Sequence, residues 1–556
     1  MAGSCRSDRS TTMTDQGVAR ASAWMALGTI VSRLTGFLRA GLLAVVIGTA
    51  LNADLFDIAN TIPNTLYILV AGGIFNVVLV PQLVRSMKND ADGGTAYANR
   101  VITLGLLVLA VGTVVLTIAV PALLHIVFDP QLFTSQFDDQ RASAELLMLL
   151  CMPQVFFYGA FVLVGQVLNA RGRFGPMMWA PIVNNVVAST VIVIYALVFG
   201  ASNARDGYST EQALVLGLGS TGAIALQALV LVPYLRKAGF RFRPRFDFRG
   251  VGLGHTLRLG AWTLLFIVVN QIAFVTVNKI ATGATLEGAA DDKSAAGSTV
   301  YGLGFLISQL PHGVITVSLA TAIIPTLAAL AADRHYDRFR IELSRTLRIA
   351  LVIVAPAAVA LLCLGQSAAA IVGGLGSLGS STVAIGYTIQ AFSLAMVTFT
   401  VHYLMLRGFY ANEDNRTPFF IQVVIAAVNI GAALSLARSV EPEQVAMMLA
   451  LSYGIAYLIG SILSVSLLSR AVGRVFDREM VVFVARLLVA CTLAAFVMLG
   501  FARGLEVLGV EPSTATGGLV TTTVAGLGGA ITYVAAARVI GMTQLAYLVD
   551  TLLRRR

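Results

Sequence analysis

Fourteen apolar runs, each long enough to cross a hydrocarbon layer, follow one another at 22–48, 56–84, 101–128, 143–168, 176–199, 212–235, 257–282, 299–331, 349–373, 383–406, 418–437, 444–469, 481–502 and 517–541. A helix needs about 20 apolar residues to span a bilayer core. No water-soluble particle can bury fourteen such runs, because the remaining residues cannot coat it. Composition agrees: of 556 residues 57% are hydrophobic and only 12% charged, against roughly 25% charged in soluble domains. The fold class read from this pattern is an all-α polytopic membrane protein of about 14 transmembrane helices. Globular soluble classes are excluded.

The connections between runs alternate sharply in charge. One set carries 30 Lys and Arg, with the densest stretch running from Arg236 and Lys237 through Arg241, Arg243, Arg245, Arg249 and Arg258. The other set holds only Arg141, Arg205, Lys293, Arg438 and Arg503. By the positive-inside rule the basic set is cytoplasmic, which puts both termini of this multi-pass protein inside and requires an even number of spans. The net charge of +10 is then mostly topology, and no nucleic-acid partner is needed to explain it. Residues 1–20, polar and rich in Ser, Thr and Arg, read as a disordered cytoplasmic tail without a signal-peptide cleavage pattern. Residues 546–556 read as a basic cytoplasmic tail.

Half the chain repeats. Pro63 and Pro81 bracket an apolar run in span 2, as Pro311 and Pro325 do in span 8, and Pro176 opens span 5 as Pro418 opens span 11. The separations are 248, 244 and 242 residues, so six spans recur in the same orientation. Parallel repeats with a site between them are a transporter architecture. The expected organisation is an N-lobe at 21–240, a basic linker at 241–258, a C-lobe at 259–475, and two further helices at 476–545.

Three basic residues remain inside spans: Arg33 and Arg39 in the first and Lys279 in the seventh. If span 1 begins near Ser22, Arg33 lies about 16 Å in and Arg39 about 25 Å in, at 1.5 Å per residue. An arginine at mid-membrane costs roughly 2.5–3.5 kcal/mol even on the lenient insertion scale, so it faces a partner or a wet cavity. Two guanidinium groups in a lumen point to an anionic ligand, a phosphate or diphosphate held bidentately. The competing reading is an ion pair with Asp54 or Asp57. The two arginines stand about 120° apart on an ideal helix, and a bend at Gly36 would let both face one cavity. Ser32, Asn60, Asn184, Asn185 and Asn278 are candidate supporting or gating groups, although a lone intramembrane amide is more often a helix–helix hydrogen bonder. For Lys279, joining the arginines and snorkelling outward remain equally open.

Enzymatic readings find no support. There is no P-loop, HExxH or GxSxG. The five histidines are scattered, the four cysteines lack metal or redox spacing, and the outer connections are too short for a catalytic domain. No cofactor or metal is expected.

Several segments together resemble the MviN/MurJ family of lipid II flippases: SRLTGFLRA at Ser32–Ala40, Ala53–Asp54, IPN at Ile62–Asn64, VPQL at Val80–Leu83, NARGRFGPMMWAPIVNN at Asn169–Asn185, QLPHGV at Gln309–Val314, IIPTL at Ile323–Leu327 and RGFYANEDNRTP at Arg407–Pro418. That family is similar in fold to the multidrug/oligosaccharidyl-lipid/polysaccharide exporter superfamily. The resemblance implies two six-helix lobes around a V-shaped cavity, plus two C-terminal helices forming a groove for a lipid tail. It implies the transport of lipid II, the undecaprenyl-diphosphate-linked disaccharide-peptide, with membrane lipids and the cell-wall synthesis machinery as further partners. Arg33 and Arg39 match the family's essential span 1 arginines and Asp54 its outer acid. The membrane potential acts on moved charge at about 2.3 kcal/mol per charge per 100 mV and is expected to power the reset, with Asp414 or Asn429 as candidates for coupling to Na⁺. The chain departs from the pattern at Tyr67 and Ile68, at Ala71-Gly72-Gly73 and at Leu306, where the family carries an arginine pair, an acid and an arginine. Its Ala, Val, Gly and Arg usage resembles the actinobacterial branch. Alternatives on the same scaffold are a flippase for another polyprenyl-linked glycan and a cation-coupled exporter; a non-transporting cell-wall scaffold is a third. A cation-coupled drug exporter would favour cavity carboxylates over arginines, and a scaffold would need longer soluble segments.

Overall fold

The computed structural model describes residues 11–69, 92, 94–248, 253–374 and 381–544, with side chains for all of these except 11–26 and 253–260. Among the described residues there is no β-strand, and thirteen helical segments are long and apolar enough to cross a membrane. The fourteenth, span 2, begins as α2 (Leu51–Tyr67); its Ala71-Gly72-Gly73 and Pro81 half lies outside the described residues. Tails 1–10 and 545–556 lie outside them as well.

Span 1 is α1 (Thr11–Ile47). It starts inside the stretch expected to be a disordered tail. At 1.5 Å per residue its 37 residues are nearly twice the hydrocarbon thickness, so the polar first turns extend beyond the membrane as helix rather than coil. Several spans are broken where proline removes a helix donor. Span 3 is α3 (Thr95–Ile118) and α4 (Val120–Val127), parted just before Pro121. Span 4 is α5 (Asp138–Cys151) and α6 (Gln154–Ala170), parted at Met152-Pro153. Span 5 is α7 (Gly175–Phe199) and span 6 is α8 (Thr210–Leu229) with α9 (Leu231–Lys237).

The second half opens with α10 (Leu253–Ala290). Span 8 comprises α11 (Ser298–Pro311), a π-helical turn at His312–Thr316 and α12 (Val317–Ala332). Then come α13 (Tyr336–Gly373), α14 (Ser381–Ala411), α15 (Arg416–Ala437) and α16 (Val445–Val472). The last two spans are α17 (Arg478–Val507) and α18 (Ala515–Val539).

Packing recurs between the halves. In the first, α1 lies on α7, α7 on α8, and α6 on α3 and α8. In the second, α10 lies on α15, α15 on α16, and α14 on α13 and α16. Each half has its own large apolar core, one around Leu55, Leu109, Phe128 and Met148, the other around Phe339, Leu343, Leu404 and Leu468. Two six-span lobes therefore stand side by side, with α17 and α18 against α13, where Tyr533 Oη donates to the Val352 carbonyl at 2.8 Å. The outward faces are apolar: Leu197 is 80% and Ile531 70% exposed, which a lipid solvent accepts and water does not.

Candidate functional site

The lobes meet along α1, α2, α4, α10 and α11. Helix α1 is fixed to its own lobe by α7: Asn185 Nδ2 donates to the Ser32 carbonyl and to Thr35 Oγ1, both at 3.0 Å. Gly36 packs against that same amide. Asn185 is thus a buried helix–helix clamp rather than a cavity liner, and α1 runs as one unbroken α-helix through Gly36. On the next face of α1, Ala40 and Ala44 pack against Val300 and Leu303 of α11, small residues allowing two helices close approach.

Arg33 lies on that second face, a heptad before Ala40, and reaches the other lobe. Its Nη1 sits so close to Gly313 that a Cβ there would collide with it. Gly313 belongs to the π-helical turn that follows Pro311, and such turns recur at functional sites. The turn is fixed by His312, whose Nδ1 is 2.8 Å from Thr400 Oγ1. Arg39 emerges on the N-lobe side instead, near Tyr158 of α6 and Asp57 of α2. Tyr158 stacks with Tyr67, ring centroids 6.1 Å apart. Tyr67 fills its position in span 2 with an aromatic ring where an arginine was the pattern. Among the described residues neither arginine has a hydrogen-bond or ion-pair partner within 4 Å. The ion-pair alternative fails for Asp54, and Asp57 gives Arg39 electrostatic proximity without contact.

Asp54 has a different task. The fully buried carboxylate crosses to the C-lobe and caps α11: Oδ2 accepts from Ser298 N at 2.9 Å and Oδ1 from Thr299 N at 2.7 Å. Thr285 Oγ1 of α10 donates to Oδ2 at 2.9 Å. A negative charge at a helix N-terminus satisfies orphan N–H groups and opposes the macrodipole. Gly297 makes this approach possible, since any Cβ there would strike Asp54 Oδ2. Ser298 Oγ also bridges Asp57 Oδ2 at 3.2 Å and Asn278 Oδ1 at 2.7 Å.

Two more contacts close the same end. Lys279 Nζ donates to the His125 carbonyl at the end of α4 at 3.0 Å, and Arg205 Nη1 meets Asp292 Oδ1 at 3.1 Å. Lys279 is therefore engaged at the lobe seam, on a different partner from either arginine. Asn278 sits at the seam too, whereas Asn60 accepts from Gln154 at 3.0 Å inside the N-lobe. Asn184 is half-buried on α7.

The candidate coupling residues separate. Asp414 Oδ1 accepts from the backbone of Arg416 and Thr417 at 3.1 and 2.9 Å, capping α15. Asn429 lines a C-lobe cavity of about 440 Å³ with Asn270, Gln422, Tyr453 and Arg407, and accepts from Ser452 Oγ at 3.0 Å. Among the described residues no carboxylate lines that cavity.

A second concavity, an apolar groove of about 730 Å³, runs between α13, α14, α16 and α17 through Leu362, Leu394, Ile462 and Leu488. It lies beside the C-terminal pair as expected, but α18 contributes no lining residue and buttresses α17 and α13 from behind.

Sequence reasoning singled out Asp54 but missed its partners. The Gly297-Ser298-Thr299 start of α11 is a helix-start signal, yet nothing local announces a cap delivered from the other lobe. Gly313 was within a noted motif without a reason; Arg33 supplies one.

Comparison with known proteins yields a consistent picture. The profile of the lipid II flippase MurJ family matches residues 43–511. A probable lipid II flippase MurJ of Haemophilus influenzae is 27% identical over 417 residues, covering 72% of this chain and 78% of that one. One from Thermotoga maritima is 24% identical over 429 residues, covering 77% and 81%. Among solved structures, a lipid II flippase MurJ in an inward closed conformation superposes with a TM-score of 0.70 at 18% identity, over 92% of this chain and 98% of that one. An inward-facing MATE family multidrug transporter of the MOP superfamily gives 0.61 at 15% identity, over 79% and 95%.

Proposed function

Because the chain belongs to the lipid II flippase MurJ family, we propose that it carries lipid II from the inner to the outer leaflet of the bacterial cytoplasmic membrane by alternating access, with the basic loops and both termini in the cytoplasm. The observation that carries the site assignment is the pair of intramembrane arginines without partners among the described residues. One guanidinium points to each lobe, so a diphosphate bridging them touches both halves of the transporter.

The headgroup is a polar, charged body that must pass about 30 Å of hydrocarbon. A basic seam shields its charge, while the apolar tail stays in lipid or in the groove beside α17. In the described state the outer end is latched by Asp54 on α11, by Lys279 on His125 and by Arg205 on Asp292. Loading Arg33 and Arg39 from the cytoplasmic side and breaking these contacts moves the site to the outer face. The reset works against charge displacement, on which the membrane potential acts at about 2.3 kcal/mol per charge per 100 mV. The Asn429 cavity, lined by the cationic Arg407 and, among the described residues, by no carboxylate, and the capping role of Asp414 favour the potential over Na⁺ as the energy source.

The test is a leaflet-resolved assay of lipid II in cells depleted of this protein. Accumulation confined to the inner leaflet, reversed by the wild-type chain, is the expected result. Unchanged leaflet distribution overturns the reading.

A further inference from the structure

The N-lobe carries a groove of its own, apart from the arginine seam. It has a volume of about 740 Å³ and runs between α3, α6 and α8–α9, walled by Leu106, Phe157, Ala160, Val164 and Val232. At its basic end stand Arg236 and Arg241. Phe157, Ala160 and Val164 occupy a different face of α6 from Tyr158, the residue beside Arg39, so this groove is separate from the arginine seam. Arg236 and Arg241 are exposed and have no hydrogen-bond or ion-pair partner among the described residues.

The mouth of the groove is built by a strap without regular secondary structure, Phe240 to Phe248, tied along α3. Arg243 N donates to Asn99 Oδ1 at 2.8 Å and Arg245 N to Thr103 Oγ1 at 3.0 Å. Pro244, which has no N–H to offer, falls between them. Arg100 Nε donates to Asp247 Oδ2 at 2.8 Å, and Arg171 Nη1 to the Ala238 carbonyl at 2.9 Å. So fixed, the strap presents Arg241, Arg243 and Arg245 outward, with Phe242 39% and Phe246 67% exposed. Alternating arginines and phenylalanines at the edge of a membrane domain match a lipid interface, where rings enter the acyl boundary and cations meet phosphate. The one acid of the strap, Asp247, is already paired with Arg100, so the groove mouth keeps a net positive charge.

We propose that this groove is a binding site for an anionic phospholipid, its acyl chain on the apolar wall and its phosphodiester held by Arg236 and Arg241. Guanidinium groups unpaired among the described residues above an apolar wall favour an amphiphile, and the absence of a free acid among the described residues of the mouth favours a net-negative headgroup over a zwitterion. The bound lipid holds the interlobe linker against the membrane surface. This inference stands apart from the transport reading: loss of the lipid with lipid II transport intact supports it, and loss of transport with the lipid retained leaves it unaffected.

The full-length protein in detergent is titrated with palmitoyl-oleoyl phosphatidylglycerol or the matching phosphatidylcholine, and retained lipid is read by native mass spectrometry. The wild type retains phosphatidylglycerol preferentially. The double variant Arg236→Gln/Arg241→Gln retains it roughly 25-fold less, a factor of about five for each basic group near an anionic headgroup. Ala160→Trp, or Val164→Phe if the first does not fold, fills the groove and lowers retention with both arginines present. Arg334→Gln/Arg338→Gln removes the same charge from the C-lobe surface and leaves retention unchanged. Equal retention of the two lipids by the wild type, an equal fall in the C-lobe control, or full retention by the filled groove each overturns the proposal.

Discussion

The Asp54 seam and the middle of span 1 are both charged regions between the same two lobes, and they are built in opposite ways. At the seam the charges are met by the facing lobe: Asp54 by two backbone N–H groups and Thr285, Lys279 by the His125 carbonyl, Arg205 by Asp292. In span 1, Arg33 rests against the bare backbone of Gly313 and Arg39 stands near Asp57 without contact. A satisfied charge holds a state closed. An unsatisfied one at membrane depth is costly, and a ligand of opposite charge removes that cost.

The largest expected effect tests the unsatisfied region. Arg33→Ala and Arg39→Ala each remove hydrogen bonds to a charged group, worth about 1.5–3 kcal/mol, so transport in a lipid II translocation assay falls roughly tenfold to more than a hundredfold in each. Wild-type complementation by both would erase the contrast.

Next comes Gly297→Val at the seam. Its side chain must displace the Asp54 carboxylate and the Thr285 methyl group, and overpacking of this kind costs about 1–3 kcal/mol. Spin labels at positions 135 and 293, exposed on opposite lobes, should report a population shifted toward a longer distance, with helix content unchanged.

Asp54→Asn is gentler, because an amide keeps one oxygen to cap α11 but loses the charge that opposes its dipole. A loss of about 1–2 kcal/mol moves the open-to-closed ratio roughly five- to thirtyfold by the same labels. A shift as large as that of Gly297→Val would mean that charge, not close packing, holds the seam.

The smallest effect belongs to Arg205→Gln. Its partner Asp292 is fully exposed, and such pairs contribute about 0.2–1 kcal/mol, so less than a fivefold shift is expected, fading further with added salt.

Much of this molecule was legible before folding. The span count, the six-span repeat and the isolation of Arg33 and Arg39 rest on hydropathy and charge, which are local properties. The polar candidates were less legible. Asn185 and Asn278 look alike in sequence, each an amide within an apolar run. The first clamps α1 to α7 inside a lobe and the second ties α10 to α11 beside the seam. An amide hydrogen-bonds whatever helix lies next to it, and helix neighbours are set by packing.

Asp54 makes the same point over a longer range. It was singled out as an outer acid, yet its partners Ser298 and Thr299 lie more than 240 residues away.

Sequence alone determined that the chain spans a membrane about fourteen times, repeats its first six spans, and carries two arginines that hydrocarbon cannot solvate. Only the tertiary structure decided which of its intramembrane polar groups are paired across the lobes and which are left waiting, because pairing depends on distances between helices that no local pattern encodes.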